Sequence, residues 1–224
     1  MKYLFGFILL AMFSFSCTPP LVFTNAQPKG VKAQNAFELH YQGTYFCTGD
    51  SSIVRVQEQC IYKEKSYTFV TSLAELDAME NVYFEEGRIY QDGEEMPFEV
   101  LYLDDQTLAG TYTHRDTLFR VGDHQILKYY KGHQLLNTRI NAEHWQLWLL
   151  SKDQMGNLTL SKTTLPERMD KLEAITPVKD LAPDGERPQY EINPTKAEFR
   201  KLLQTKLIFE ECDYYEWIRP QLNF

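Results

Sequence analysis

The chain has no apolar run long enough to span a bilayer, no catalytic signature, no basic patch and only four cysteines among its 224 residues. Each lack excludes something. A membrane-spanning helix needs about 20 apolar residues, whereas the longest run, Leu4 to Phe13, is roughly half that and is interrupted by Gly6. Patterns of the H-E-x-x-H, G-x-S-x-G, P-loop and G-x-G-x-x-G kinds are absent, so zinc-protease, serine-hydrolase and nucleotide-binding chemistry lack support, and no cofactor is implied. A net charge of −8 without a basic cluster argues against a nucleic-acid partner, because phosphates demand positive charge. No internal repeat points to a propeller or solenoid.

What is present begins at the N-terminus. Lys2, the apolar run and the small Ser16 before Cys17 have the layout of a secretory signal peptide over residues 1–16. Ser14, Phe15, Ser16 and Cys17 resemble a relaxed lipobox of Bacteroidota-type bacterial lipoproteins, with Ser14 where the usual Leu stands. The resemblance implies that Cys17 becomes the first residue and carries diacylglycerol and a further acyl chain such as palmitate. Three chains exceed the single chain whose membrane affinity is marginal. Thr18, Pro19 and Pro20 lack the acidic signals that direct such proteins elsewhere, so the implied place is the bacterial envelope, at the outer membrane facing the periplasm. An ordinary cleaved signal with an incidental Cys17 is the alternative. Three prolines, a glycine and no sustained period make residues 17–36 read as a lipidated flexible tether.

Tyr and Phe number 14 each, a composition that favours strands. From Phe37 onward, apolar runs alternate with turn residues at the spacing of an antiparallel β fold, sandwich or barrel-like, with two or three short helices. The expected strands are Phe37 to Tyr41, Thr44 to Cys47, Ile53 to Val56, Cys60 to Tyr62, Tyr67 to Val70, Val82 to Phe84, Arg88 to Tyr90, Pro97 to Leu103 and Thr107 to Tyr112. Thr117 to Val121, Gln125 to Tyr130, His133 to Ile140, His144 to Leu150 and Asn157 to Lys162 follow. Ser72 with Glu75 and Thr195 with Glu198 are capping boxes that start helices. Pro166 to Ile175 reads as another helix. The β domain thus spans 37–177, a linker or loop 178–193, and a C-terminal helix plus strand 194–224 packs on the domain. Trp145 to Leu150 exceeds simple alternation and reads as a central strand covered on both faces. A ligand pocket lined by Trp145 or Trp148 is the other reading.

With Cys17 acylated, Cys47, Cys60 and Cys212 remain. A bond between Cys47 and Cys60 would close a loop of about 14 residues and contribute on the order of 3 kcal/mol; two free buried thiols are the alternative. Cys212 reads as packed and inert. Residues 75–105 carry eleven acids and one base, Arg88, mostly at hairpin tips, and suggest a cationic partner or Ca²⁺ held by Asp92, Gly93, Glu94, Glu95, Asp104 and Asp105.

His114, His124, His133 and His144 recur at near-regular intervals, yet each falls at an expected turn, and successive turns of a meander lie at opposite ends. His114 would share one end with His133, and His124 the other with His144, so a four-histidine metal site is not expected. Adjacent acids such as Glu85 and Glu86 point to opposite faces and do not make a glycosidase pair. Asp116, Thr117 and Leu118 resemble a short O-glycan acceptor of exported Bacteroidota proteins. The leading functional expectation is a membrane-anchored, non-enzymatic β domain for binding or envelope structure, with an unidentified envelope partner or ligand. The alternatives are a lipocalin-like carrier of a small apolar ligand, which needs a closed barrel, and an envelope hydrolase built from distant loops.

Overall fold

The computed structural model describes residues 19–92, 98–182 and 188–219. Its first strands are β1 (Leu21–Phe23), β2 (Ala33–Gln34), β3 (Gly43–Cys47), β4 (Ile53–Val56) and β5 (Cys60–Ser72). Helix α1 (Leu73–Asp77) leads into β6 (Val82–Glu85), β7 (Arg88–Gln91), β8 (Phe98–Tyr102) and β9 (Thr107–Arg120). Strands β10 (Gln125–Tyr130), β11 (His133–Arg139), β12 (Trp145–Lys152) and β13 (Leu158–Thr163) precede α2 (Met169–Glu173). The chain ends with β14 (Val178–Asp180), β15 (Tyr190–Ile192), α3 (Lys196–Thr205) and β16 (Phe209–Trp217). The protein is mainly β, with its strands in one large antiparallel sheet that does not close into a barrel and is consistent with a sandwich-like fold. The open sheet differs from the closed wall that the carrier alternative requires.

Two compact units divide the chain. The first draws on Met1–Gln34, Asp123–Ser151 and Leu160–Cys212, the second on Asn35–Gly122, Lys152–Thr159 and Asp213–Phe224.

In the first unit, β10, β11 and β12 form the expected meander, with Tyr130 facing His133 across a two-residue turn. Lys131 and Gly132 both take positive φ, 55° and 85°, as the two central residues of a tight hairpin turn of this twist require. Strand β12 is central, with β11 along one edge and β1 and β13 on the other, and Leu149 and Leu150 on its opposite faces are both buried. Helix α3 starts at its capping box, where Thr195 Oγ1 accepts the Glu198 N–H and the Glu198 carboxylate accepts the Thr195 N–H at 2.7 Å. It seats Phe199, Leu202 and Leu203 on a core of Leu21, Phe23, Leu135, Leu147 and Leu149.

Residues 17–36 are not a free tether over the part described. Leu21, Val22 and Phe23 are buried in β1, which pairs in parallel with β15 and antiparallel with β12. The following loop is pinned by two buried polar side chains. Asn137 Oδ1 accepts the Gln27 N–H at 2.6 Å while its amide donates to the Gln27 carbonyl at 3.0 Å. Lys128 Nζ donates to the carbonyls of Ala26 at 2.7 Å and Pro28 at 3.0 Å. Burial pushes the Lys128 ammonium below its ordinary range. The expected 178–193 loop likewise contains β14 and β15, three residues each, which gain their partners from one another and from β1. Helix α2 is shorter than the expected Pro166 to Ile175.

In the second unit, two expected breaks are absent. Cys60 to Tyr62 and Tyr67 to Val70 belong to the single long β5, and the Thr107 and Thr117 runs to the single long β9. Charged residues between the apolar runs are satisfied across strands instead of in turns. Glu64 accepts from Arg55 on β4 at 2.8 Å and from Arg115 on β9 at 2.7 Å, and Ser66 meets Thr113 at 2.8 Å. Burial raises the Glu64 carboxyl, but the two guanidiniums outweigh it and hold the group below the usual carboxylate range. Phe37 to Tyr41 is not a strand: Leu39–Tyr41 is a 3₁₀ turn that buries Tyr41, whose carbonyl accepts the Tyr45 hydroxyl at 2.7 Å.

The Cys47–Cys60 bond is not formed; both are buried free thiols. Cys47 follows Phe46, which faces Ile53 and, beyond it, Glu64, whereas Cys60 precedes Ile61, which faces Val56 and Gly43. The two cysteines therefore lie at opposite ends of β3–β4–β5, about five residues or roughly 17 Å apart along the strands, beyond the roughly 7 Å a disulfide tolerates. Cys212 is exposed, not packed, and its thiol donates to the Leu160 carbonyl at 3.1 Å.

Candidate functional site

The capping box at Ser72 ends β5 and starts α1, with the Ser72 N–H donating to Glu75 at 2.9 Å. This turn lays Leu73 and Leu76 over one face of a five-strand arm ordered β5–β9–β8–β7–β6. Leu76, Ile89 and Leu108 are buried there, with Phe69, Phe84, Phe98 and Val100 packed round them. Gly110 lies between Phe69 and Val100 in register, and a Cβ on it would stand 2.5 Å from the Phe69 ring. Only a residue without a side chain leaves room for that ring.

Side chains alternate across a sheet, so the neighbours of these residues point to the other face. There Val70, Ala109 and Leu101 stand side by side on β5, β9 and β8. Val70 is 67% exposed and Leu101 75% exposed. Leu103 joins them one row on, where its N–H donates to the Thr107 carbonyl at 2.9 Å. On β6 and β7, Tyr83 stacks on Tyr90 with centroids 4.9 Å apart. Exposed Asp77, Glu80, Glu85, Glu86, Asp104 and Asp105 belong to the same segment. An exposed apolar row beside a strongly acidic segment is a candidate interaction surface.

The anticipated calcium ligands are only partly within view. Gly93, Glu94 and Glu95 lie outside the described residues. Asp104 accepts the N–H groups of Gln106 at 2.9 Å and Thr107 at 2.8 Å, bonds that lower its carboxyl and close the β8–β9 turn. Among the described residues, no group of three His, Cys, Asp or Glu side chains is placed to hold a metal ion.

The histidines disperse. His114 is within β9, not in a turn, between Tyr112 at 3.2 Å and Asp116 at 3.0 Å. His124 and His144 do share one end of the β10–β11–β12 meander, tied to Arg139 and Ile140 through their carbonyls. His144 Nε2 meets Glu191 at 3.0 Å. His133, at the other end, meets the Ser151 hydroxyl at 2.8 Å, a base beside a nucleophile that sequence reasoning did not find. These two are direct cross-strand neighbours. Burial and the nearby Lys206 ammonium hold the imidazole below its ordinary range, where a triad would need a carboxylate to steady the cation. Cys47 is fully buried with Asp213 at 3.9 Å, a site without access for a substrate. Thr117, the glycan candidate, is a mid-strand residue of β9 facing Tyr62. Trp145 packs on the apolar core of its unit beneath the Arg139 guanidinium at 5.9 Å.

Cys17 lies outside the described residues, and among those described no helix is long and apolar enough to cross a membrane. No protein-family model, no curated protein and no solved structure matches the chain.

Proposed function

We propose that this chain is an exported bacterial lipoprotein, acylated at Cys17 and held at the outer membrane facing the periplasm, whose β domain binds a cationic polypeptide. The single observation that supports the binding role is the open face of the arm, where exposed Val70 and Leu101 flank Ala109 beside the 75–105 segment that holds the chain's acidic excess. Apolar side chains on the partner would cover the row, and lysine or arginine would pair with the surrounding carboxylates. The exposed Tyr83 supplies a rigid, amphipathic contact of the kind enriched in interfaces.

A synthetic nonapeptide of alternating valine and lysine is the probe, with affinity followed by fluorescence anisotropy. Binding should weaken at least about tenfold in the Val70→Lys/Leu101→Lys variant, equivalent to about 1.4 kcal/mol, and should fall as salt rises. Equal affinity of parent and variant would remove this face from consideration. The anchoring role is tested separately: intact mass of the mature chain should carry the acyl increment, and Cys17→Ala should move the protein from the membrane to the soluble fraction.

A further inference from the structure

Although the sequence has no basic run, one end of the first unit gathers cations from three separate segments. Strand β1 runs antiparallel to β12, with Phe23 facing Trp145. The chain before Leu21 therefore heads toward the Ser151 end of β12, which is also the His133 end of β11 and the Tyr130 end of β10. Pro19 and Pro20 are fixed on that course, their carbonyls accepting from Gln189 at 3.2 Å and from the Tyr190 N–H at 2.9 Å. In the sequence only Thr18 separates Pro19 from Cys17.

Lys131 forms the exposed turn at this end. Helix α3 lies over the same end, with Phe199 against Tyr130 at 6.3 Å and Lys196 Nζ 5.7 Å from the Tyr130 ring. Its solvent side carries Lys196, Arg200 and Lys201. Strand β2 is antiparallel to β10, with Ala33 facing Lys128, so exposed Lys32 and Lys29 also lead toward the Tyr130 end. Residues 19–37 and 124–142 contain no Asp or Glu. Among the described residues, three carboxylates of the neighbouring segments are already engaged. Glu198 is used in the helix cap, Glu211 pairs with Lys206 at 3.1 Å, and Asp180, near the start of β1, accepts the Ala182 N–H at 3.0 Å.

We propose that this end of the first unit, with Lys131, Lys196, Arg200 and Lys201 foremost, rests on anionic lipid headgroups beside the acylated cysteine. The inference rests on the lipid anchor proposed above and adds an orientation to it. A free tether would let the domain tumble, whereas a chain tied down at Pro19 delivers this end to the bilayer. There each lysine or arginine gains attraction to an anionic leaflet, and an acyl anchor plus a basic surface is a two-signal attachment.

The acylated mature protein is reconstituted in phosphatidylcholine vesicles with and without 30% phosphatidylglycerol by design, roughly the charge density of an anionic leaflet. Lysines are then labelled with a membrane-impermeant amine reagent and mapped by mass spectrometry. Lys131, Lys196 and Lys201 should react about fivefold more slowly on the anionic vesicles, the factor corresponding to one cation's attraction to such a surface. Exposed Lys171 on α2 is expected to be unchanged. In the Lys196→Glu/Arg200→Glu/Lys201→Glu variant, Lys131 should lose its protection. Equal rates on both vesicles, with the acyl mass present on Cys17, overturn the orientation and leave the anchor standing. A mature chain without the acyl mass overturns both.

Discussion

Helix α3 and helix α1 each lie on one face of a sheet, yet they leave very different surfaces behind. With 10 residues, α3 seals Leu21, Phe23, Leu135 and Leu147 in the first unit at 0% exposure. With 5 residues, α1 buries Leu76, Ile89 and Leu108, while the opposite face of the arm keeps its apolar row in solvent. Covering one face of a sheet stabilises it; covering the second decides whether anything else can dock there. The arm leaves its second face open to solvent, with Val70 and Leu101 exposed, and the first unit presents instead the charged back of its helix.

The largest expected effect breaks the sealed side of this comparison. Phe199→Ala removes a fully buried ring and should cost about 3–5 kcal/mol, read from urea unfolding. An unfolding midpoint equal to the parent's would mean that α3 is not what seals the core. Next comes the N-terminal segment, whose order depends on the Asn137 amide. Asn137→Ala leaves the buried Gln27 backbone groups unpaired and should cost about 1–3 kcal/mol, with faster hydrogen exchange confined to residues 21–34 and their partners.

A smaller effect appears in acid and belongs to the second unit. Glu64 is held low by Arg55 and Arg115, relative to an ordinary value of 4.5. A carboxyl whose folded value is depressed contributes its full stability above the unfolded value and loses it as pH falls through the folded one. Glu64→Gln should therefore flatten the fall in stability below about pH 4.5, so that variant and parent converge in acid titrations followed by circular dichroism. Parallel curves would show that the two arginines do not act through this carboxylate. The smallest effect is reserved for the open face: Val70→Lys and Leu101→Lys should change stability by less than about 0.5 kcal/mol, as exposed sites do. A loss of several kcal/mol would mean that the row is part of a core.

Much of the local structure is legible before folding is considered. The two capping boxes, the Glu86–Gly87 and Lys131–Gly132 hairpins and the strands Ile53–Val56 and Gln125–Tyr130 follow from short-range preferences of their own residues. The strand signal fails where polar residues continue a ladder, as at Lys63 to Ser66 and Thr113 to Asp116, because their satisfaction comes from Arg55, Arg115 and Thr113 on other strands. It fails also at Leu21–Phe23, Val178–Asp180 and Tyr190–Ile192, three-residue segments too short to show a period. The acidic segment is visible in composition, but its apolar row is not, since Val70, Ala109 and Leu101 are neighbours only across strands.

By itself, then, the sequence determined the β class, the helix starts, the tight turns and the acidic segment, all consequences of side chains acting on their own backbone or of plain charge. Tertiary structure alone decided that the stretch after Pro19 is a core strand, that Cys47 and Cys60 stand apart, and that separate lysines meet at one end of the first unit. Those outcomes depend on strand register, which brings together residues that lie tens of positions apart in the chain.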